Sequence, residues 1–221
     1  MGSERFLIQS LHNSTNRDYV GRMLNEKVKC MKIARKFDFD YWDGDRSFGF
    51  GGYRYIPGRW SKMASELISL YELSSHSKIL DIGCGKGYLL YEIQKLLPGI
   101  QITGLDISNY AITNSHPELI ADLKVYDCRQ RLPFVADQFD LVISINTLHN
   151  FFLPEVVLAL SEIERVGKRA YVVDEAYASL QQFFNLQCWA LTAPTLITPD
   201  EWRWLFRIAL YTGDYEFIYF N

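Results

Sequence analysis

From residue 78 onward, short apolar runs alternate with stretches in which apolar residues recur at helical spacing. The runs predict strands over 78–82, 101–106, 123–126, 139–145 and 170–173, and the stretches between them predict helices over 88–97, from Ser108, and over 154–166. Pro98-Gly99 ends the first helix, Ser108 caps the second, and Pro154 opens the third at its first turn. Beyond Glu175 the order blurs into a helix near 178–185, a second opened by Thr198-Pro199-Asp200-Glu201, and one closing strand over 215–220. Strands separated by helices of this length specify parallel βαβ units. The expected fold class is therefore α/β: a doubly wound, mostly parallel sheet of six or seven strands, with helices on both faces.

The first third of the chain reads differently. Tyr19, Val20, Met23, Leu24, Val28, Met31 and Ile33 recur at roughly helical spacing and predict one amphipathic helix over 16–37. Residues 38–60 lose all period and are dense in aromatic residues and glycine, so they predict an ordered loop. Trp60, Met63, Leu67, Ile68 and Leu70 predict a second helix over 59–72. No linker, repeat or low-complexity tract interrupts the chain. One domain over 1–221 is expected, with 1–60 as a helical and loop cap and 61–221 as the α/β core.

A hydrophobic fraction of 48% with 22% charged residues is that of a packed globular body. The net charge of −3 lacks the basic excess that nucleic acid selects, so no nucleic-acid partner is expected. Cys30, Cys84, Cys128 and Cys188 show neither a C-x-x-C pair nor metal-ligand spacing, so no metal is expected and a reducing cytoplasm fits. No apolar run suits a membrane span, and Met1-Gly2-Ser3-Glu4-Arg5 lacks the apolar core of a signal peptide. Oligomeric state is not readable from these features.

The chemistry gathers at the strand ends. Ile79-Leu80-Asp81-Ile82-Gly83-Cys84-Gly85-Lys86-Gly87 puts glycines after the first strand, where such sheets bind ligands and where glycine lets a cofactor approach the backbone. The spacing is G-x-G-x-G rather than the G-x-G-x-x-G of dinucleotide binders. Asp81 would repel a pyrophosphate and attract a cationic amino group. The second strand ends at Asp106, placed for two ribose hydroxyls. The third ends in Tyr126-Asp127-Cys128, and the fourth runs through Ile145 to Asn146-Thr147-Leu148-His149. Any one of these acids alone would pass as a cap or turn residue. Ordered as they are at successive strand ends, they mark a site.

Over residues 78 to about 175 the sequence resembles the class I S-adenosylmethionine-dependent methyltransferases, which have a Rossmann-like sheet. The resemblance implies S-adenosylmethionine as cofactor and S-adenosylhomocysteine as its product. It implies Asp81, Gly83 and Gly85 against the methionine part and Asp106 on the ribose. Asp127 and the Cys128 backbone would meet the adenine, with Ile107 flanking it and Ile145 beside the cofactor. No Asn or Asp precedes Pro-Pro-Tyr after the fourth strand, which departs from amide and nucleobase N-methyltransferases. The aromatic-glycine loop and Tyr211-Thr212-Gly213-Asp214-Tyr215 also look like a bacterial subgroup associated with surface-polysaccharide synthesis.

A small-molecule acceptor, anionic or sugar-linked and methylated on oxygen, is the expected substrate. His149 is the first candidate base, since imidazole ordinarily titrates near neutrality, and Glu175 is the second. Each has a plainer alternative, as a cofactor-fencing histidine or a capping acid. Arg46, Tyr53, Tyr55 and Arg59 predict an acceptor pocket in which guanidinium forks meet an anion and rings meet a sugar. The alternative for that segment is simple packing on the sheet, and Trp189 is either an opposite wall or core. The rival functions are an NAD-dependent oxidoreductase on a similar sheet and a catalytically inactive scaffold of the same fold.

Overall fold

The computed structural model describes residues 2–13 and 17–221 of the chain. Strand β1 (Lys78–Ile82) is buried beyond its first residue because it lies between two neighbours, β2 (Gln101–Asp106) and β4 (Leu141–Ile145). With β3 (Asp122–Val125), β5 (Ala170–Glu175) and β6 (Asp214–Ile218) they form a six-stranded sheet in the order β3-β2-β1-β4-β5-β6, with every pair parallel. The helices, in chain order, are α1 (Gln9–Asn13), α2 (Tyr19–Leu24), α3 (Lys27–Ala34), α4 (Phe39–Trp42), α5 (Ser61–Leu70), α6 (Tyr88–Leu96), α7 (Asn109–Thr113), α8 (Leu153–Val166), α9 (Leu180–Trp189) and α10 (Pro199–Ile208).

The period-two alternation of strand side chains sorts the core into two layers. Leu80, Ile82, Val142 and Val172 pack against Val156, Leu160 and Ile163 of α8 and Trp202 and Phe206 of α10. Ile79, Ile143, Tyr171 and Val173 face the other way, against Met63 and Leu67 of α5 and Leu90 and Ile93 of α6. By the same alternation Asp81 shares its face with Ile79, and Asp106 stands on the neighbouring strand. The chain winds outward from β1 to β3 and then crosses to β4, so the winding reverses between β1 and β4. Ligands of such sheets bind at the carboxyl ends of the strands flanking that reversal.

The amino-terminal segment closes the β6 edge. Tyr215 N–H donates to the Ser3 carbonyl (3.1 Å) and Arg5 N–H to the Tyr215 carbonyl (2.8 Å), a parallel bridge centred on Glu4. Leu7 and Ile8 donate their backbone N–H groups to the buried Glu216 carboxylate, which also accepts from the Tyr171 hydroxyl. The edge strand is thus paired and covered rather than left open to a foreign strand.

Several boundaries differ from the sequence reading. The helix expected over 16–37 is two helices, α2 and α3, because Glu26 between them takes a left-handed φ of 43°; its expected start, Asn16, lies outside the described residues. The loop expected over 38–60 contains the short helix α4, started by the Asp38 side chain accepting from Phe39 N–H (2.9 Å). Strand β4 begins at Leu141 rather than 139, since Phe139 makes only an isolated bridge to Gly167. The fifth strand extends to Glu175, and the helix expected over 178–185 runs on to Trp189.

Candidate functional site

At the carboxyl end of β1 the chain turns through Gly83, Gly85 and Gly87, with φ of 78°, 54° and 71°. Gly83 and Gly85 are needed for space as well as for conformation. A Cβ on Gly83 would meet Thr147 Oγ1 at 1.9 Å, and one on Gly85 would meet the Trp42 ring at 2.9 Å. Gly85 N–H donates to Asp106 Oδ2 and Ser108 N–H to Asp106 Oδ1, both at 2.8 Å. Each carboxylate oxygen still has a lone pair for a hydroxyl. Asp81, 5% exposed, accepts no hydrogen bond from the described residues. Burial, and secondarily the Asp106 carboxylate, push its carboxyl up to about 8. A buried carboxyl without a donor, beside a glycine cradle and a ribose-type acid, fits a cofactor bearing a cationic amino group and a ribose.

A cavity of about 770 Å³ opens over these strand ends. Of the residues singled out from sequence, Gly83, Gly85, Asp106, Ile107, Asp127, Cys128 and Ile145 line it, as do His149 and Glu175, and Arg46, Tyr53 and Arg59. Asp81 and Tyr55 do not line it. Tyr55 instead packs its ring on His116 (4.6 Å between centroids) and gives its hydroxyl to Glu92 of α6. Asp127 is on the wall but already engaged: Arg129 Nε and Nη2 donate to its two oxygens at 2.9 and 2.7 Å, holding its carboxyl below the usual range.

His149 sits in a one-turn helix (Leu148–Asn150) after β4. Asp174 on β5 accepts the backbone N–H of Leu148 (3.0 Å) and of His149 (3.2 Å), and lies 2.5 Å from the imidazole Nδ1. That arrangement fixes the ring by one nitrogen and leaves the other for the cavity. Burial opposes a charge on His149, but the carboxylates of Glu175 and Asp174 prevail and raise it to about 9. The protonated ring is therefore favoured more than in the free imidazole from which the sequence expectation starts. Burial raises the neighbouring Glu175 carboxyl, against the pull of His149 and Arg17.

The aromatic segment roofs this space from the carboxyl side of the sheet. Trp42 Nε1 donates to Ser108 Oγ (2.9 Å) and its ring stacks on Phe50 (5.3 Å). Lys86, which follows Gly85, donates to both oxygens of Asp43 at 2.8 and 2.7 Å and to the Tyr53 carbonyl at 3.0 Å, bolting the segment to the glycine loop. Tyr41 lines the cavity, half-buried, within electrostatic reach of Glu175, Asp106 and Arg22. Asn150 lines the cavity with a buried Oδ1 that has no donor.

Sequence reasoning missed Asp174 as the group that orients His149, and Trp42 as the ring over Gly85. Arg22 was also missed, because its place in an amphipathic stretch reads as a solvated face. Among the described residues no group of three or more His, Cys, Asp or Glu is suited to a metal, and no helix is long and apolar enough to cross a membrane.

A family described as "Methyltransferase domain" matches residues 73–209. Among curated relatives, the chain is 33% identical over 109 residues to the Mus musculus protein "Arginine-hydroxylase NDUFAF5, mitochondrial", covering 49% of this chain and 31% of that protein. It is 39% identical over 109 residues to the Saccharomyces cerevisiae "18S rRNA (guanine(1575)-N(7))-methyltransferase", covering 49% and 39%. The chain thus spans well under half the length of these relatives. Among solved structures, a chain from the complex of the Haloferax volcanii Trm112 methyltransferase activator with a methyltransferase aligns with a TM-score of 0.55. The identity is 19%, and the alignment covers 88% of this chain and 76% of that one, a likeness of fold.

Proposed function

The chain belongs to the methyltransferase-domain family, whose methyl donor is S-adenosylmethionine, and from that premise we propose that it methylates an oxygen of a small, anionic or sugar-linked acceptor held under the aromatic cap. The observation that carries this reading is the single cavity. It joins the glycine cradle and Asp106 at one end to His149, Glu175 and the cap arginines at the other. When bound, S-adenosylmethionine supplies an electrophilic methyl group and leaves as S-adenosylhomocysteine.

Asp106 would hold the ribose hydroxyls with its free lone pairs, and Asp81, buried behind the glycine loop, would have to give up its proton to balance a cationic amino group. Trp42, Tyr41 and Tyr53 exclude water, which keeps the acceptor oxygen unsolvated and aligned. Asn150 Oδ1 offers an acceptor to a hydroxyl. His149, fixed through Nδ1 by Asp174, takes that hydroxyl's proton on its other nitrogen once its own proton has been released. Glu175 is the alternative proton acceptor, being on the wall and raised by burial. Arg46, Tyr53 and Arg59 surround the acceptor.

The yeast relative is named for a ribosomal RNA guanine, yet the basic groups of the cap border a cavity roofed by aromatic rings and the chain's net charge is −3. A small acceptor suits that placement better than a duplex or a folded RNA. The test is calorimetric titration with S-adenosylhomocysteine, followed by methyl-release assays over hydroxylated small acceptors. Micromolar binding that Asp106→Ala weakens supports the cofactor assignment, and binding indifferent to that substitution overturns it.

A further inference from the structure

Trp189, at the end of α9, is ringed by guanidinium groups. Arg22 lies 4.4 Å, Arg46 5.0 Å and Arg17 5.5 Å from its ring centroid. They arrive from α2, from the loop after α4 and from the segment before α2. What holds Arg22 and Arg46 is neutral. Arg22 donates through Nε to the Trp189 carbonyl (3.0 Å) and through Nη1 to the Arg46 carbonyl (2.9 Å). Arg46 donates through Nη1 to the carbonyls of Gly49 (2.7 Å) and Phe50 (3.0 Å). Close by, Lys27 Nζ donates to the Cys188 carbonyl (2.6 Å).

Among the described residues no carboxylate forms an ion pair with Arg22, Arg46 or Lys27. Asp18 and Asp45 share a second depression with Arg22, Arg46 and Trp189, but neither forms an ion pair with these arginines. The cluster repels itself. Burial first, then Arg46, lowers Arg22 to about 10, and burial first, then Arg22, lowers Lys27 to about 8. Arg22 and Lys27 are half-buried and Arg46 is exposed, and gathering like charges where two of them are partly desolvated is costly unless a counter-charge arrives. Stacking on Trp189 meanwhile fixes the guanidinium planes, so their remaining N–H groups are presented with little further loss of freedom.

We propose that Arg22 and Arg46, braced on Trp189, seat a phosphoryl group of the acceptor, so that the substrate is a phosphate ester. A carboxylate would bring one negative charge to at least two uncompensated cations, whereas a phosphoryl group brings close to two and enough oxygens for both forks. The seat and the proposed point of transfer belong to one wall. Arg17 is near enough to Glu175 to pull on its carboxyl, and Tyr41 feels both Glu175 and Arg22. The inference rests on the reading of this cavity as the acceptor's chamber.

The experiment is calorimetric titration of the whole chain with inorganic phosphate, pyrophosphate and acetate at constant ionic strength, with and without saturating S-adenosylhomocysteine. Phosphate or pyrophosphate should bind alongside S-adenosylhomocysteine, more tightly than acetate, and about tenfold or more weakly in Arg46→Gln, as for the loss of a charge-assisted hydrogen bond. Arg22→Gln should behave alike, and Arg46→Lys should recover only part of the loss. Absence of phosphate binding by the unaltered chain, equal binding of acetate, indifference to Arg46→Gln, or displacement by S-adenosylhomocysteine would each overturn the assignment. Should Arg22→Gln fail to fold, the unaltered chain and Arg46→Gln decide alone. Failure of S-adenosylhomocysteine itself to bind strikes at the methyltransferase reading, whereas its binding without a phosphate site strikes only at this inference.

Discussion

Burial and the Asp106 carboxylate push Asp81 up to about 8, so near neutral pH its side chain holds a proton that the unfolded chain would have released. A neutral amide of the same shape should therefore suit the ligand-free fold better. Asp81→Asn is expected to raise the thermal midpoint above pH 7 while weakening S-adenosylmethionine more than it stabilises the protein, by scanning calorimetry and titration on the same sample. Asp106 differs in taking two backbone N–H groups, so Asp106→Ala would remove the proposed ribose contacts and leave those two donors unpaired. A loss of about 1.5 to 3 kcal/mol in S-adenosylhomocysteine affinity is expected. For His149 the informative quantity is the slope of the pH profile. As a base it must first lose the proton that Glu175 and Asp174 hold on it, so turnover should climb with pH and level off near 9. A turnover that falls over the same range would make it a fixed cation instead. His149→Gln should lower turnover roughly 100-fold and spare cofactor binding.

At the level of elements, the core was readable because each strand is a short apolar run with period two, and each crossover helix has an apolar face. Strands β1 and β2 begin and end where those runs do. The amino-terminal third was less readable for a physical reason. Its rings pack on one another, Tyr41 on Trp42 and Trp42 on Phe50, rather than on a regular layer, so no period is imposed on the text. The break at Glu26 is likewise invisible, since nothing in its residue type demands a left-handed backbone. The glycine cradle could be found because G-x-G-x-G must follow a strand. The arginine ring on Trp189 could not, because it joins positions 17, 22, 46 and 189 only through the fold. Trp42 is the pin of the roof, 7% exposed and bonded to Ser108. Trp42→Ala should loosen the cap locally, at about 3 kcal/mol or more for a buried Trp truncation. Proteolysis within 38–60 should then quicken while the strands of the core keep their protection from hydrogen exchange.

For the molecule as a whole, the perturbed groups set a direction for stability with pH. Asp81 and His149 are both raised in the fold, so they bind protons that the unfolded chain gives up earlier. The His149 contribution is fully present below about 6.5 and lost as pH rises through about 9, and the burial penalty on Asp81 grows from 3.8 to about 8. Asp127 and Glu162 act oppositely, because Arg129 and Arg165 hold them low and their contribution disappears in acid. Urea midpoints of the ligand-free chain should therefore pass through a maximum in mildly acidic solution and decline toward pH 9. A maximum above pH 9 would contradict these directions.

The parallel bridge between Glu4 and Tyr215 ties the order of biosynthesis to the order of assembly. Residues 3–8 are translated well before their partners on β6, Leu7 and Glu216 being 209 positions apart, so this seam closes only after the intervening strands have been made. The central strands have their neighbours much sooner and can pair while translation continues. Ile8 and His12, which line the cavity just beyond the seam, are consequently set in place late. A nascent chain stalled before β6 should hold a protected β1–β2 pair and an unfinished chamber, competent for neither ligand until that edge strand arrives.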